Sequence, residues 1–147
     1  MGICGSNIFN ELEKNKDIPI TSYDGVECEC IVTRVLDGDT VEIVFKRNTF
    51  EKHRMRIYGI DAPEIHSKNL DEKECGLHAK QKLEELLLRN KNRATVILSK
   101  DDKYGRRLGK LITGGVDVSD YMINKKYVYQ YEGATKLKWG DWEFNRK

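Results

Sequence analysis

The chain has 147 residues, 39% of them hydrophobic, which is enough to bury one core and leaves little for a second. Its 26 basic and 24 acidic side chains leave a net charge of +2, so bulk electrostatics does not draw it onto a polyanion and any nucleic-acid surface must be local. No apolar run approaches the roughly 20 residues that span a bilayer, and the first residues lack the basic and apolar regions of a secretory signal; the expectation is an intracellular protein.

Residues 1–24 are read as a flexible front segment and residues 25–147 as one domain. Met1-Gly2-Ile3-Cys4-Gly5-Ser6 fits the pattern for N-myristoylation at Gly2, with Cys4 placed to take a palmitoyl group. One myristoyl chain binds membranes only marginally, with a constant of order 10⁴ M⁻¹. Glu11, Glu13, Lys14, Lys16 and Asp17 supply no polybasic second signal, so a stable membrane anchor would need the lipid on Cys4. The competing reading of the segment is a plain polar tail.

Val26 to about Leu36 reads as a strand, Asp37-Gly38 as a tight hairpin turn, and Thr40 to Phe45 as the returning strand. A polar stretch, Lys46 to Lys52, leads into a third strand from Met55 to Ile60, which Pro63 closes because it cannot donate to a ladder. A helix follows from about Glu72 to Arg89, with Ala79, Leu83, Leu86 and Leu87 on one face. Ala94 to Leu98 and Arg107 to Thr113 are the fourth and fifth strands. Gly114-Gly115 then breaks the chain before a second helix that Asp117 or Ser119 can cap. Three strands, a helix, two strands and a helix suit an α+β fold: a closed five-stranded OB-type β-barrel flanked by helices. Tyr127 to Tyr131 alternates as a half-buried strand does, with core packing and base stacking as rival uses. Cys28 and Cys30 share a strand face and are read as reduced thiols, and His53, His66 and His78 as surface residues.

Acidic residues gather where strands end: Asp37 and Asp39 at the first hairpin, Asp61 and Glu64 after the third strand. Carboxylates brought together from different strands repel, and a hard cation with oxygen ligands relieves this. Asp39 and Asp61 are therefore the candidate ligands to Ca²⁺ or a similar ion. Phosphodiester hydrolysis also needs a base and forked cations, because negative charge builds on the phosphoryl oxygens. Glu64 is placed to deprotonate a water, and Arg56 and Arg106 can each offer two parallel hydrogen bonds to a phosphate. Arg56 and Asp61 are five residues apart and would face opposite sides of a regular strand, so a bulge or bend near Gly59 is required.

Three motifs now stand in order: Val35-Leu36-Asp37-Gly38-Asp39-Thr40-Val41, Arg56-Ile57-Tyr58-Gly59-Ile60-Asp61-Ala62-Pro63-Glu64, and Asp102-Lys103-Tyr104-Gly105-Arg106-Arg107-Leu108. Together they resemble the staphylococcal-type thermonuclease family from about Val26 to Tyr131. The resemblance implies an OB barrel with helices, Ca²⁺ as cofactor, and cleavage of single-stranded or duplex DNA and RNA to 3′-phosphates by a monomer. It implies that Asp39 and Asp61 hold the ion by carboxylates and Thr40 by its main-chain carbonyl. Glu64 would act on the attacking water while Arg56 and Arg106 hold the phosphate. Tyr104, Tyr127 and Tyr129 would contact the nucleotide, and Lys103 belongs to a basic patch that tracks phosphates. Ala62 stands where the best-known member has threonine. After Lys136-Leu137-Lys138-Trp139 little chain remains, so the family's long last helix is expected to be truncated. The alternative function is a non-catalytic OB module that binds nucleic acid or protein, a role in which the acidic and arginine positions are lost; here all five are present.

Overall fold

The computed structural model describes residues 5–131 and 139–147. Gly2 and Cys4, with Lys136, Leu137 and Lys138, lie outside the described residues. Within the front segment α1 (Gly5–Lys14) is a helix. Ile8, Phe9 and Leu12 fall on one side of it by their spacing, yet every residue from Asn7 to Ser22 is exposed.

The domain then runs through β1 (Glu27–Asp37), β2 (Thr40–Lys46), β3 (Phe50–Ile57), β4 (Ile60–Asp61), α2 (Leu70–Leu88), β5 (Arg93–Leu98), β6 (Arg107–Thr113), β7 (Val116–Asp117), α3 (Val118–Asn124) and β8 (Tyr129–Gln130). Strand order β3-β2-β1-β5-β6, with a further parallel pairing of β3 to β6, closes a five-stranded barrel. The fold is thus the expected α+β barrel of OB type with flanking helices. Closure depends on Gly109, opposite Ile57: a Cβ there would sit 2.7 Å from the Met55 sulfur and 3.0 Å from the Ile97 carbonyl oxygen. β1 serves two neighbours, β2 and β5, and two register shifts between Val32 and Asp37 bend it from one to the other.

Strict alternation in β2 turns Val41, Ile43 and Phe45 inward, where they meet Val32, Met55, Ile57, Val96, Leu98 and Leu111. Ala79, Leu83, Leu86 and Leu87 of α2, and Val118 and Met122 of α3, complete the same core.

Several boundaries differ from the sequence reading for local reasons. The two-residue turn is Gly38-Asp39, because Asp37 pairs with Thr40 and its Oδ1 accepts from the Asp39 amide at 3.0 Å. β3 begins at Phe50 within the expected polar stretch, since the register with β2 continues to the pair Lys46 and Phe50. α2 starts at Leu70, where the Asn69 side chain caps the Asp71 and Glu72 amides at 3.0 and 3.1 Å. Gly76 therefore lies inside α2, and it is there because a Cβ would stand 2.6 Å from the Pro63 carbonyl oxygen.

Cys28, Cys30 and Cys75 are free thiols, and burial pushes Cys30 up to about 12. Two histidines are not the surface residues expected: His53 stacks on Phe45, and His78 meets the Tyr127 ring edge-on. Among the described residues no helix is long and apolar enough to cross a membrane.

Candidate active site

The required bend is present at Tyr58-Gly59, where Gly59 takes φ +87° between β3 and β4. Three bonds from elsewhere fix that turn. The Ser119 hydroxyl donates to the Tyr58 carbonyl at 2.6 Å, the Tyr58 amide donates to the Gly109 carbonyl at 2.8 Å, and the Tyr131 amide donates to the Gly59 carbonyl at 2.9 Å. With the alternation broken, Arg56 and Asp61 meet: Nη2 of Arg56 donates to Oδ1 of Asp61 at 2.9 Å and to the Ile60 carbonyl at 3.3 Å.

Asp39 reaches the same guanidinium from the β1–β2 turn, its Oδ2 lying 3.6 Å from Nη2 of Arg56. Its main chain is tied down as well, since its carbonyl accepts from the Ile57 amide at 2.8 Å. Oδ1 accepts from the Thr40 hydroxyl at 2.7 Å, and Oδ2 from the Ala62 amide at 2.8 Å. Asp61 Oδ2 accepts from the Tyr129 hydroxyl at 2.6 Å.

All three charged groups are buried: Asp39 is 5%, Arg56 9% and Asp61 2% exposed. Burial, reinforced by the neighbouring Asp37 and partly offset by Arg56 and the Ala62 amide, pushes Asp39 up to about 6. For Arg56, burial works against the charge, but Asp39 and Asp61 outweigh it and hold the guanidinium above its ordinary value. Two buried carboxylates here share one guanidinium. A hard cation suits such an all-oxygen donor set. Among the described residues no three His, Cys, Asp or Glu side chains cluster as ligands, so the remaining donors would be main-chain oxygens such as that of Thr40, and water.

Arg56 also lines a cleft of about 270 Å³ together with Tyr58, Lys103, Tyr104, Arg106 and Tyr131. The two arginines, fifty positions apart in the chain, thus face one space. Arg106 is exposed and held by Asp102, whose Oδ2 accepts from its Nε at 2.6 Å and whose Oδ1 accepts from the Tyr104 and Arg106 amides, both at 2.9 Å. The Tyr104 ring lies beneath both cations, 5.4 Å from the Arg106 guanidinium carbon and 5.3 Å from the Lys103 ammonium. Glu64 is exposed just beyond Pro63, the residue against which Gly76 of α2 packs.

Two tyrosines expected at the nucleotide are placed differently. Tyr127 is 6% exposed and belongs to the core, its ring against His78 and Tyr121, so it does not face the cleft. Tyr129 is 9% exposed and spends its hydroxyl on Asp61. Of the tyrosines at 127, 129 and 131, the one that lines the cleft, with the Arg56 guanidinium 5.7 Å from its ring, is Tyr131. Alternation alone put all three on one face, and their depth follows from the pairing of β8 with β4, two residues long and without a sequence pattern. Asp102, the anchor of Arg106, was also missed as a site residue; its place at the head of the third motif was the available signal.

Comparison with known proteins agrees with this architecture. A family model described as Staphylococcal nuclease homologue matches residues 54–139. That span includes the second and third motifs, and the Asp37-to-Thr40 turn precedes it in sequence while meeting it in space. An uncharacterized endonuclease of Escherichia coli O157:H7 is 31% identical over 102 residues, covering 69% of this chain and 60% of that protein. A micrococcal nuclease of Shigella flexneri is 37% identical over 78 residues, 53% of this chain and 38% of its own length. An uncharacterized 38.1 kDa protein of Capnoides sempervirens is 30% identical over 103 residues, 70% of this chain and 27% of its own. The chain spans 60% of the Escherichia coli relative's length and less of the other two. With over half of its residues inside the family match, and a closed barrel carrying the motifs at one site, the chain belongs to the family of staphylococcal nuclease homologues.

Proposed function

We propose that the protein is a nuclease that hydrolyses DNA and RNA in a Ca²⁺-dependent reaction and leaves 3′-phosphates. The observation that carries this reading is the shared cleft of Arg56 and Arg106 beside the buried pair Asp39 and Asp61. Asp39 and Asp61, with the Thr40 carbonyl, would hold the ion. Bound there, the ion would add positive charge against the phosphoryl oxygens.

The chain's own groups do the rest. Both bonds that Arg56 makes to Ile60 and Asp61 use Nη2, so its other N–H groups are those that would take a phosphate oxygen. Arg106, fixed in direction by Asp102 and lining the same cleft, would take the same phosphate. Each guanidinium binds more strongly as charge develops, which lowers the barrier instead of merely improving affinity. Glu64 accepts a proton from the attacking water as its oxygen bonds to phosphorus. The bond from phosphorus to the 5′ oxygen breaks, and that oxygen takes a proton from solvent, giving a 3′-phosphate and a 5′-hydroxyl. Lys103, Tyr104 and Tyr131 line the same cleft and would carry adjacent phosphate and base contacts.

The test is digestion of end-labelled DNA and RNA oligonucleotides by purified protein with Ca²⁺ and with EDTA. The reading predicts cutting in Ca²⁺ alone, with products whose 3′ ends lose phosphate to a phosphatase. Binding without cutting would replace it with a non-catalytic module, and 5′-phosphate products would overturn the assigned direction of cleavage.

A further inference from the structure

The Tyr129 hydroxyl is buried against one of the two carboxylates proposed to hold the ion, and its ring is enclosed. Tyr129 stands directly opposite Asp61 in the β4–β8 pair, so the two side chains leave the same face of that ribbon. Its ring lies against Trp142 and Phe144, with centroids 6.5 and 6.1 Å away. Little of it is open to a base. Its hydroxyl donates to Oδ2 of Asp61 at 2.6 Å while Arg56 holds Oδ1 at 2.9 Å. A carboxylate gripped at both oxygens cannot rotate about its last bond.

Asp39 is gripped in the same manner by the Thr40 hydroxyl and the Ala62 amide. The two carboxylates are therefore held in fixed planes beside each other before any ligand arrives. From this geometry we propose that Tyr129 is a positioning residue for cation binding, acting through Asp61, and not a contact to the nucleotide. The proposal rests on the reading of Asp39 and Asp61 as the cation ligands. Outer partners of this kind commonly contribute about 10- to 100-fold to metal affinity.

The experiment is calorimetric titration of Ca²⁺ into wild type, Tyr129→Phe and Tyr127→Phe, each first shown to be folded by a cooperative thermal melt. Phe keeps the ring that Trp142 and Phe144 pack against and removes only the hydroxyl. The expected result is Ca²⁺ affinity about tenfold or more weaker in Tyr129→Phe and unchanged in Tyr127→Phe. At saturating Ca²⁺, the KM of Tyr129→Phe for an oligonucleotide should equal that of wild type. Wild-type Ca²⁺ affinity in Tyr129→Phe, above all with a raised KM at saturating Ca²⁺, would overturn the proposal and return Tyr129 to the nucleotide. Failure of the wild type itself to take up Ca²⁺ would overturn the ligand reading of Asp39 and Asp61 instead, so the two failures are distinguishable.

Discussion

Arg56 and Arg106 face one cleft from very different environments, and that difference separates their expected mutational effects. Arg56 is buried between two carboxylates, so Arg56→Ala takes a buried charge partner from both and should cost about 3–5 kcal/mol of folding stability, read by urea denaturation. Arg106 is exposed and paired with Asp102 at the surface, where an ion pair contributes at most about 1 kcal/mol. Arg106→Lys should therefore leave the urea midpoint near wild type while kcat/KM on DNA falls by about 100-fold or more, because the fork is lost where charge develops. A large stability loss in Arg106→Lys, or an unchanged rate, would show that it is not a clamp. The meeting of Asp39, Arg56 and Asp61, and the cleft that Arg56 shares with Arg106, were legible in the sequence because three motifs carry those residues. The depths of the tyrosines were not, because each depends on a contact with a distant segment: Tyr127 with His78, Tyr129 with Asp61.

Between elements, α2 does more than cover the barrel. Its close approach to the Pro63 carbonyl sets the path of the chain that carries Asp61 on one side and Glu64 on the other. Gly76→Ala forces that backbone outward, since the added carbon would lie 2.6 Å from the oxygen, 3.0 Å from Ile65 Cγ2 and 3.1 Å from the Ile65 nitrogen. We expect about 1–3 kcal/mol of destabilisation in urea, together with a fall in nuclease rate in the fully folded variant. Unchanged activity would mean that the α2 contact does not govern Glu64. The sequence located the body of α2 through Ala79, Leu83, Leu86 and Leu87, yet Gly76 obscured its start. A glycine inside a helix costs stability locally, and only the neighbouring segment explains its presence. The bend at Gly59 was legible for the opposite reason. Strand alternation by itself makes Arg56 and Asp61 incompatible with a straight path, and so demands it.

For the whole molecule, the barrel is one closed unit and the front helix stands apart from its core. Residues 7–22 are exposed throughout, so Phe9→Ser in α1 should shift stability by no more than about 0.5 kcal/mol, checked by thermal melting. A larger loss would show that α1 packs on the domain in solution. The number of barrel strands followed from hydrophobic alternation and turn residues, and their order suited a closed barrel, whereas the pairing that closes it was not legible. It requires a parallel meeting of β3 and β6, from strands separated by β4, α2 and β5, at a glycine whose reason is the Met55 sulfur beside it. That closure sets the first motif's turn against the second motif and opens the cleft to the third. The most direct measurement is a crystal structure of the protein soaked with Ca²⁺ and a nucleotide 3′,5′-bisphosphate. The account predicts an ion touched by the carboxylates of both Asp39 and Asp61, with a phosphate between the guanidinium groups of Arg56 and Arg106. An ion bound elsewhere, or a phosphate that meets neither arginine, would contradict it.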